Sequence, residues 1–176
     1  MELLTIGIIS YLMGSIPFGL ILTKIFLKKD IRDIGSGNIG ATNALRTGNK
    51  FIGYSTLILD IVKAVIPVLY VKVNFPDLIY LSALCAFLGH VFPVWLKFKG
   101  GKGVATYVGI LCSMNIMFGI VFGICWLVTF FISKFSSLAS LIGSFSVPVY
   151  LFLFESTENE LFFGIMFILI FYTHRE

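Results

Sequence analysis

The chain has 176 residues, of which 58% are hydrophobic and only 12% are charged. An ordinary soluble domain is about 45–50% apolar and about 25% charged, so this composition excludes a water-soluble fold and indicates a membrane protein. A spanning helix needs roughly 20 apolar residues, which leaves little chain for a domain outside the bilayer.

Six apolar runs follow one another along the chain. The fourth, residues 104–132, is long enough for one tilted helix or for two short ones. Lys102 and Lys134 flank this run, and if both face the cytoplasm, the run must cross twice and turn near Ser113-Met114-Asn115. We therefore predict seven spans, approximately 3–27, 51–73, 78–98, 104–113, 116–132, 138–154 and 161–173.

The basic residues set the predicted orientation. With seven spans, 11 of the 13 Lys and Arg lie on the cytoplasmic side, Lys72 lies outside, and Lys63 lies within a span. The acidic segment 155–160 then lies outside. We predict an all-α integral membrane protein whose amino terminus is outside and whose carboxyl terminus is cytoplasmic. Because Glu2 stands where a signal peptide has basic residues, we expect the first run to be retained.

The first glycine-rich loop, residues 35–46, reads GSGNIGATNALR and lies on the predicted cytoplasmic face. Small residues let backbone N–H groups point into a concavity, and Ser, Asn, Thr and Arg side chains supply further donors. Such a loop favours a phosphate. The candidate ligands are Ser36, Asn38, Thr42, Asn43 and Arg46.

The second glycine-rich loop, residues 97–106, reads KFKGGKGVAT and leads directly into a predicted helix. The amides around Gly101 and Gly103 would lie at the helix start, where the dipole favours an anion, and Lys102 adds a full charge. The loop is not a Walker A motif, because Lys102 is followed by glycine rather than by Ser or Thr.

Either loop alone could be a tight connection, or a basic segment that only fixes topology or contacts anionic lipid. Two such loops on one membrane face favour two anion sites and therefore two phosphorylated ligands. A transporter for a phosphorylated metabolite and a non-catalytic lipid-binding scaffold are the alternatives. A transporter would more naturally show inverted repeats, and we find no internal repeat.

Several other polar residues are candidates for support or for ligand contact. Asp60 and Lys63 are three residues apart in the second span, where they form either a structural ion pair or part of the site. His90 is either a packing residue or a base, His174 a membrane-end anchor or a ligand, and Ser140 a capping residue or a ligand. Neither histidine begins a His-x-x-x-x-Asp sequence, so a reaction here would depend on positioned phosphates and an activated donor.

These motifs resemble those of the bacterial acyl-phosphate:glycerol-3-phosphate acyltransferases. The resemblance implies a seven-helix protein of the bacterial inner membrane with its active site facing the cytoplasm. It also implies transfer of a fatty acyl group from acyl phosphate to the 1-hydroxyl of glycerol 3-phosphate, which gives lysophosphatidic acid and inorganic phosphate in the first acylation step of phospholipid synthesis. The matching segments are residues 14–19, 35–46, 59–60 with Lys63 and Pro67, 89–106, 137–140 and 174–176.

By matching position, the resemblance implies that Ser36, Arg46, Lys102 and His174 hold glycerol 3-phosphate, with Lys102, Ser36 and Arg46 as the catalytic set. It implies that Thr42, Asn43, Ser140 and the amides of residues 101–103 hold the donor phosphate, and Asn38 is a further substrate-binding candidate. Asp60, Lys63 and His90 are candidates for support.

The resemblance also implies which partners to expect. The sequence differs from the family pattern at two points. We expect no cofactor, no metal and no nucleic acid, and a candidate partner is the enzyme that makes acyl phosphate. The family usually continues beyond the position of Glu176 with an Asn that helps to hold glycerol 3-phosphate, so we expect either a truncated chain or impaired activity. Ala64 replaces a usual glycine, with a small expected effect on helix packing.

Overall fold

The computed structural model describes residues 1–155 and 158–175, and its regular elements in these residues are all helical. The prediction of an all-α fold is therefore confirmed for the described part of the chain. Three short 3-10 turns occur at Ile31–Asp33, Pro76–Leu78 and Val94–Leu96. The α-helices are α1 (Glu2–Gly14), α2 (Phe18–Leu27), α3 (Ala41–Leu45), α4 (Lys50–Asn74), α5 (Ile79–Val91), α6 (Val104–Met114), α7 (Ile116–Ser133), α8 (Ser136–Phe154) and α9 (Glu158–Thr173).

Four helical stretches in the described residues are long and apolar enough to cross a membrane, whereas Val104–Met114 and Asn159–Thr173 are apolar but shorter. The helix α4 has 25 residues but carries Asp60 and Lys63 near its centre, and it is not among the four. The four stretches are Glu2–Leu27, Pro76–Leu96, Ile116–Ser133 and Ser136–Phe154.

The chain folds into two compact units, Met1–Ile110 and Leu111–Glu176. In the first unit, α1 packs along α5, and α4 packs against both. Gly14 of α1 abuts the backbone of α5, because a Cβ there would overlap the Ala86 carbonyl oxygen and lie 2.8 Å from Ala86 Cα. Small residues allow membrane helices to approach this closely.

The first predicted span, residues 3–27, is divided into α1 and α2 by a break at Ser15-Ile16-Pro17. Pro17 has no N–H to donate, and its ring disfavours a helical conformation at Ile16. The Ile16 carbonyl oxygen instead accepts a hydrogen bond of 2.8 Å from Lys63 Nζ in α4. The break is therefore hydrogen-bonded to the middle of α4.

Two further helix ends follow from local sequence. The helix α5 stops at Val91, short of the predicted boundary at residue 98, because Pro93 follows and the chain enters the 3-10 turn Val94–Leu96. The fourth apolar run breaks at Asn115, within the predicted turn. The Asn115 side chain caps α7 by accepting a hydrogen bond of 2.9 Å from the Met117 N–H.

In the second unit, α8 packs against both α7 and α9. A Cβ on Gly143 of α8 would lie 3.1 Å from the Phe122 ring of α7, so the two helices approach closely at this glycine. Phe118 of α7 and Phe163 of α9 make an edge-to-face contact with ring centroids 5.6 Å apart.

Candidate active site

The first glycine-rich loop is organised around the side chain of Asn43, which is buried. Asn43 Nδ2 donates to the carbonyl oxygens of Ile31 (3.1 Å), Ile34 (2.8 Å) and Asn38 (2.8 Å). Its Oδ1 accepts from the Ser36 N–H at 3.0 Å. The amide predicted to contact a donor phosphate is thus occupied by the backbone of its own loop and of the segment just before it, and it holds the two together.

The first loop turns at two glycines. Gly35 and Gly37 adopt φ angles of +55° and +70°, which a residue with a Cβ rarely adopts.

The first loop is also anchored on an apolar cluster. Leu96, from the segment that leads into the second loop, packs against this cluster as well, so the two glycine-rich loops share one support. The buried members of the cluster are Leu20, Ile31, Ile39, Ala44 and Ile52.

Ser36, Thr42 and Arg46 are exposed on the first loop. Arg46 lies beside Gly35, since a Cβ on Gly35 would come within 2.8 Å of Arg46 Cδ. Asn38 is half-buried, and its Oδ1 accepts a hydrogen bond of 2.8 Å from the Gly40 N–H. The two asparagine side chains of the loop therefore face the protein, whereas the hydroxyls of Ser36 and Thr42 and the guanidinium of Arg46 are exposed.

The two arginines near this loop differ in their electrostatic surroundings. Arg32 donates to both carboxylate oxygens of Asp30, at 2.9 and 2.7 Å, and Lys24 Nζ lies 3.6 Å from Asp30 Oδ2. The hydrogen bonds from the Arg32 side chain hold the pKa of Asp30 well below its usual range. Among the described residues, no acidic side chain forms an ion pair with Arg46. The guanidinium of Arg46 is therefore better placed than that of Arg32 to bind an anion.

The second glycine-rich loop folds back on the end of α5. The Gly100 N–H donates to the Val91 carbonyl at 3.0 Å, and the Gly101 N–H donates to the His90 carbonyl at 3.1 Å. These are terminal carbonyls of α5, which lack partners within the helix. The Gly101 amide, predicted to hold the donor phosphate, is therefore occupied within the protein.

The end of the second loop retains the features of an anion site. Gly103 has a φ of +85° and is buried against the Phe87 ring, whose Cζ would lie 2.7 Å from a Cβ at this position. Lys102 is half-buried two residues before α6. The amides in the first turn of α6 have no acceptors within the helix, and the helix dipole favours an anion beside them.

Asp60, Lys63 and His90 form a buried cluster in the first unit. Lys63 Nζ lies 2.7 Å from Asp60 Oδ1, so the two side chains form an ion pair, which leaves a further role in the site open. His90 Nδ1 lies 3.8 Å from the same oxygen. The cluster also approaches α6, because the Thr106 hydroxyl donates to the Asp60 carbonyl at 3.4 Å.

Ser140 and His174 belong to the second unit. The Ser140 hydroxyl donates to the Ser136 carbonyl at 2.9 Å and accepts from Trp126 Nε1 at 3.2 Å. His174 Nδ1 lies 2.8 Å from the Ile170 carbonyl oxygen, which requires a proton on Nδ1. Glu176, the last residue of the matching segment 174–176, lies outside the described residues.

Two contacts that the sequence did not indicate connect α1 and the break after it to the segment between α5 and the second loop. Trp95 Nε1 donates to Ser15 Oγ at 2.7 Å, and the Tyr11 hydroxyl donates to the Phe92 carbonyl at 2.6 Å. The available signal was Pro17 within an apolar run, which marks a break where polar groups become accessible to partners.

Comparisons with known proteins agree with this arrangement. A family model described as "Glycerol-3-phosphate acyltransferase" matches residues 4–176. A curated protein of that name from Pelagibacter ubique (strain HTCC1062) is 73% identical over 176 residues, covering 100% of this chain and 92% of the relative.

Two solved structures of PlsY (YgiH), an integral membrane glycerol 3-phosphate acyltransferase, have the same fold. The glycerol 3-phosphate form matches with a TM-score of 0.94 and the lysophosphatidic acid form with 0.91. Each is 35% identical and covers 99% of this chain and 89% of the solved one. With its apolar helices and its match over residues 4–176, the chain belongs to the glycerol-3-phosphate acyltransferase family of integral membrane enzymes.

Proposed function

We propose that this enzyme transfers a fatty acyl group from acyl phosphate to the 1-hydroxyl of glycerol 3-phosphate, forming lysophosphatidic acid and inorganic phosphate. The observation that carries the proposal is the shared support of the two glycine-rich loops, since Leu96 before the second loop packs on the cluster beneath the first. Two phosphate-binding segments on one support suit a reaction between two phosphorylated substrates. The solved glycerol 3-phosphate and lysophosphatidic acid forms of PlsY support the same acceptor and product.

The exposed groups of the first loop suit the acceptor. Arg46 can bind a phosphate through two parallel N–H donors, and Ser36 lies on the same exposed part of the loop. Lys102, beside the start of α6, would contact both phosphates, and Thr42 would contact the donor. Asn43 and Gly101 contribute by holding their loops rather than through the groups already bonded. Ser140 and His174 of the second unit remain predicted substrate contacts, as does Asn38.

The reaction needs no base from the protein. The hydroxyl oxygen attacks the acyl carbonyl carbon, the bond from that carbon to the phosphate oxygen breaks, and the hydroxyl proton ends on the released phosphate. Lys102 and the first amides of α6 offset the negative charge that develops on the departing phosphate. Holding both substrates in line lowers the entropic part of the barrier.

The same proposal includes the arrangement in the membrane. Seven spans, with the amino terminus outside and the carboxyl terminus in the cytoplasm, place both glycine-rich loops on the cytoplasmic face of the bacterial inner membrane. That face gives access to glycerol 3-phosphate and to the enzyme that makes acyl phosphate. The apolar surfaces between spans would accommodate the acyl tail.

Purified enzyme supplied with glycerol 3-phosphate and either palmitoyl phosphate or palmitoyl-CoA tests the donor. We expect lysophosphatidic acid and inorganic phosphate in a one-to-one ratio from palmitoyl phosphate, measured by mass spectrometry and a phosphate assay. Turnover with palmitoyl-CoA alone would contradict the proposed donor. Uptake of glycerol 3-phosphate into proteoliposomes without phosphate release would instead support a transporter.

A further inference from the structure

The buried cluster of Asp60, Lys63 and His90 contacts the second glycine-rich loop through His90. Their side chains are only 2–4% exposed, although each carries a polar or charged head. Burying such groups is costly unless they are paired. A cluster of this kind inside a membrane protein therefore calls for a specific explanation.

One edge of the His90 ring faces the ion pair. His90 Nδ1 lies 3.8 Å from Asp60 Oδ1, and neither atom has a well-aligned hydrogen bond within the described protein. Lys63 Nζ lies 2.7 Å from the same carboxylate oxygen and also donates to the Ile16 carbonyl at 2.8 Å. The ion pair is thus hydrogen-bonded to the break in the first span, and its carboxylate lies beside the Nδ1 edge of the ring.

The other edge of the ring faces the second loop. A Cβ on Gly101 would overlap His90 Nε2 and lie 2.8 Å from Cε1 and 3.1 Å from Cδ2. The backbone of His90 holds the same glycine, since its carbonyl accepts from the Gly101 N–H at 3.1 Å. His90 therefore contacts Gly101 through both its ring and its backbone, one residue before Lys102.

We propose that His90 is a positioning residue whose ring, oriented by the Asp60–Lys63 ion pair, supports Gly101 and so places Lys102 and the start of α6 against the substrate phosphates. This inference rests on the proposed function. Thr106 adds to the connection, because its hydroxyl bonds the Asp60 carbonyl at 3.4 Å from within α6. The cluster thereby joins α4, α5, α6 and the break between α1 and α2.

Steady-state kinetics of His90→Ala and His90→Gln in detergent, combined with thermal unfolding, test the inference. We expect kcat/KM of His90→Ala to fall about 10–100-fold, as for a displacement of catalytic groups by about 1 Å, with partial rescue in His90→Gln. A purely structural histidine would change the unfolding temperature or the yield but not the kinetic constants of the folded fraction. Wild-type kinetic constants in folded His90→Ala would overturn the inference.

A double-mutant cycle separates action through Lys102 from an independent effect. If His90 acts by placing Lys102, the loss caused by His90→Ala should largely disappear in a Lys102→Ala background. Equal fold losses in both backgrounds would overturn the inference. Absence of turnover in the wild-type enzyme would count against the proposed function instead, so the two failures are distinguishable.

Gly101→Ala tests the same contact if His90→Ala does not fold. Its Cβ should displace either the ring or the loop and lower kcat/KM, whereas Gly123→Ala on α7 is a control because its Cβ would meet no atom within 4 Å. Equal activity of Gly101→Ala and Gly123→Ala would contradict a role for the contact.

Discussion

Arg46 and Arg32 stand on either side of the first glycine-rich loop, yet their guanidinium groups have different surroundings. Arg32 makes two hydrogen bonds to Asp30, whereas Arg46 is exposed beside Gly35. A paired guanidinium has few donors left for a ligand, because its planar fork is used by the carboxylate. The two arginines therefore form a matched pair for experiments.

Arg46→Ala should raise KM for glycerol 3-phosphate about 10–100-fold, since a hydrogen bond to a charged group contributes about 1.5–3 kcal/mol. Arg46→Lys should recover only part of the affinity, because an ammonium group cannot form the two-pronged contact. Initial-rate measurements over a range of glycerol 3-phosphate concentrations give KM. The control Arg32→Gln should keep KM near the wild-type value, and an unchanged KM in Arg46→Ala would rule out the assigned role.

Asn43→Ala should destabilise the protein, because it removes a donor to the Asn38 carbonyl of the first loop and to the Ile31 and Ile34 carbonyls just before it. The Ile31 and Ile34 carbonyls keep hydrogen bonds from the Ile34 and Gly37 N–H groups, whereas the Asn38 carbonyl loses its Asn43 donor. A buried carbonyl left without a partner costs about 1–3 kcal/mol. Thermal unfolding in detergent should show a clear decrease relative to Thr42→Ala, whose side chain is exposed. If Asn43→Ala raised KM for acyl phosphate without changing stability, Asn43 would be a ligand rather than a structural residue.

Among the helices, the break between α1 and α2 is bonded both to α4 and to the segment before the second glycine-rich loop. It exposes the Ile16 carbonyl to Lys63 and places Ser15 Oγ within 2.7 Å of Trp95 Nε1. Gly14, just before the break, lets α1 approach the backbone of α5. The second loop follows the end of α5, so its position depends on the close crossing of α1 and α5 at Gly14.

Gly14→Ala should destabilise the first unit by about 1–3 kcal/mol, the usual cost of overpacking. Its Cβ would lie 2.7 Å from the Ala86 carbonyl carbon, which belongs to a helix backbone and cannot easily move. Gly7→Ala on the same helix is the control, because its Cβ would lie 3.6 Å from Cys85 Sγ, an ordinary contact. Equal unfolding temperatures for the two variants would show that this crossing is looser than the structure indicates.

The elements that the sequence predicted well are those with local signals. Apolar runs indicated helices, and the polar residues of Ser113-Met114-Asn115 marked the turn in the fourth run. The structure shows that Asn115 caps the following helix. The roles of Asn43 and of the Gly101 amide could not be predicted in this way. Both groups are bonded by carbonyls whose proximity depends on how the loops fold back, and composition alone does not encode those partners.

In the whole molecule, the positions of the Lys and Arg residues favour one orientation of the helices in the membrane. Residues 24–50 and 97–102, which include the first glycine-rich loop and most of the second, carry nine of the 13 Lys and Arg, and segments rich in these residues usually face the cytoplasm in membrane proteins. In the proposed function, the same residues would serve both orientation and phosphate binding. The family match over residues 4–176 agrees with an enzyme embedded in the bilayer.

The predicted orientation can be tested with single cysteines at two exposed positions on either side of α5, Asp77→Cys and Lys99→Cys, after the three native cysteines are replaced. A membrane-impermeant thiol reagent added to intact cells should label position 77 and not position 99. Labelling after cell disruption serves as the control for accessibility. Labelling of both positions from the same side would contradict the seven-span arrangement.

Lys102, two residues before α6, is the residue proposed to stabilise the charge on the departing phosphate. The most direct measurement is the rate of phosphate release from palmitoyl phosphate and glycerol 3-phosphate by Lys102→Ala, beside wild type and the exposed-site control Lys99→Ala. Loss of a positioned charge should cost about 3–4 kcal/mol in the transition state, so Lys102→Ala should be slower by about 10²–10³-fold while Lys99→Ala stays close to wild type. A Lys102→Ala enzyme that keeps more than about half of the wild-type rate would contradict the account, because that loss corresponds to less than about 0.5 kcal/mol.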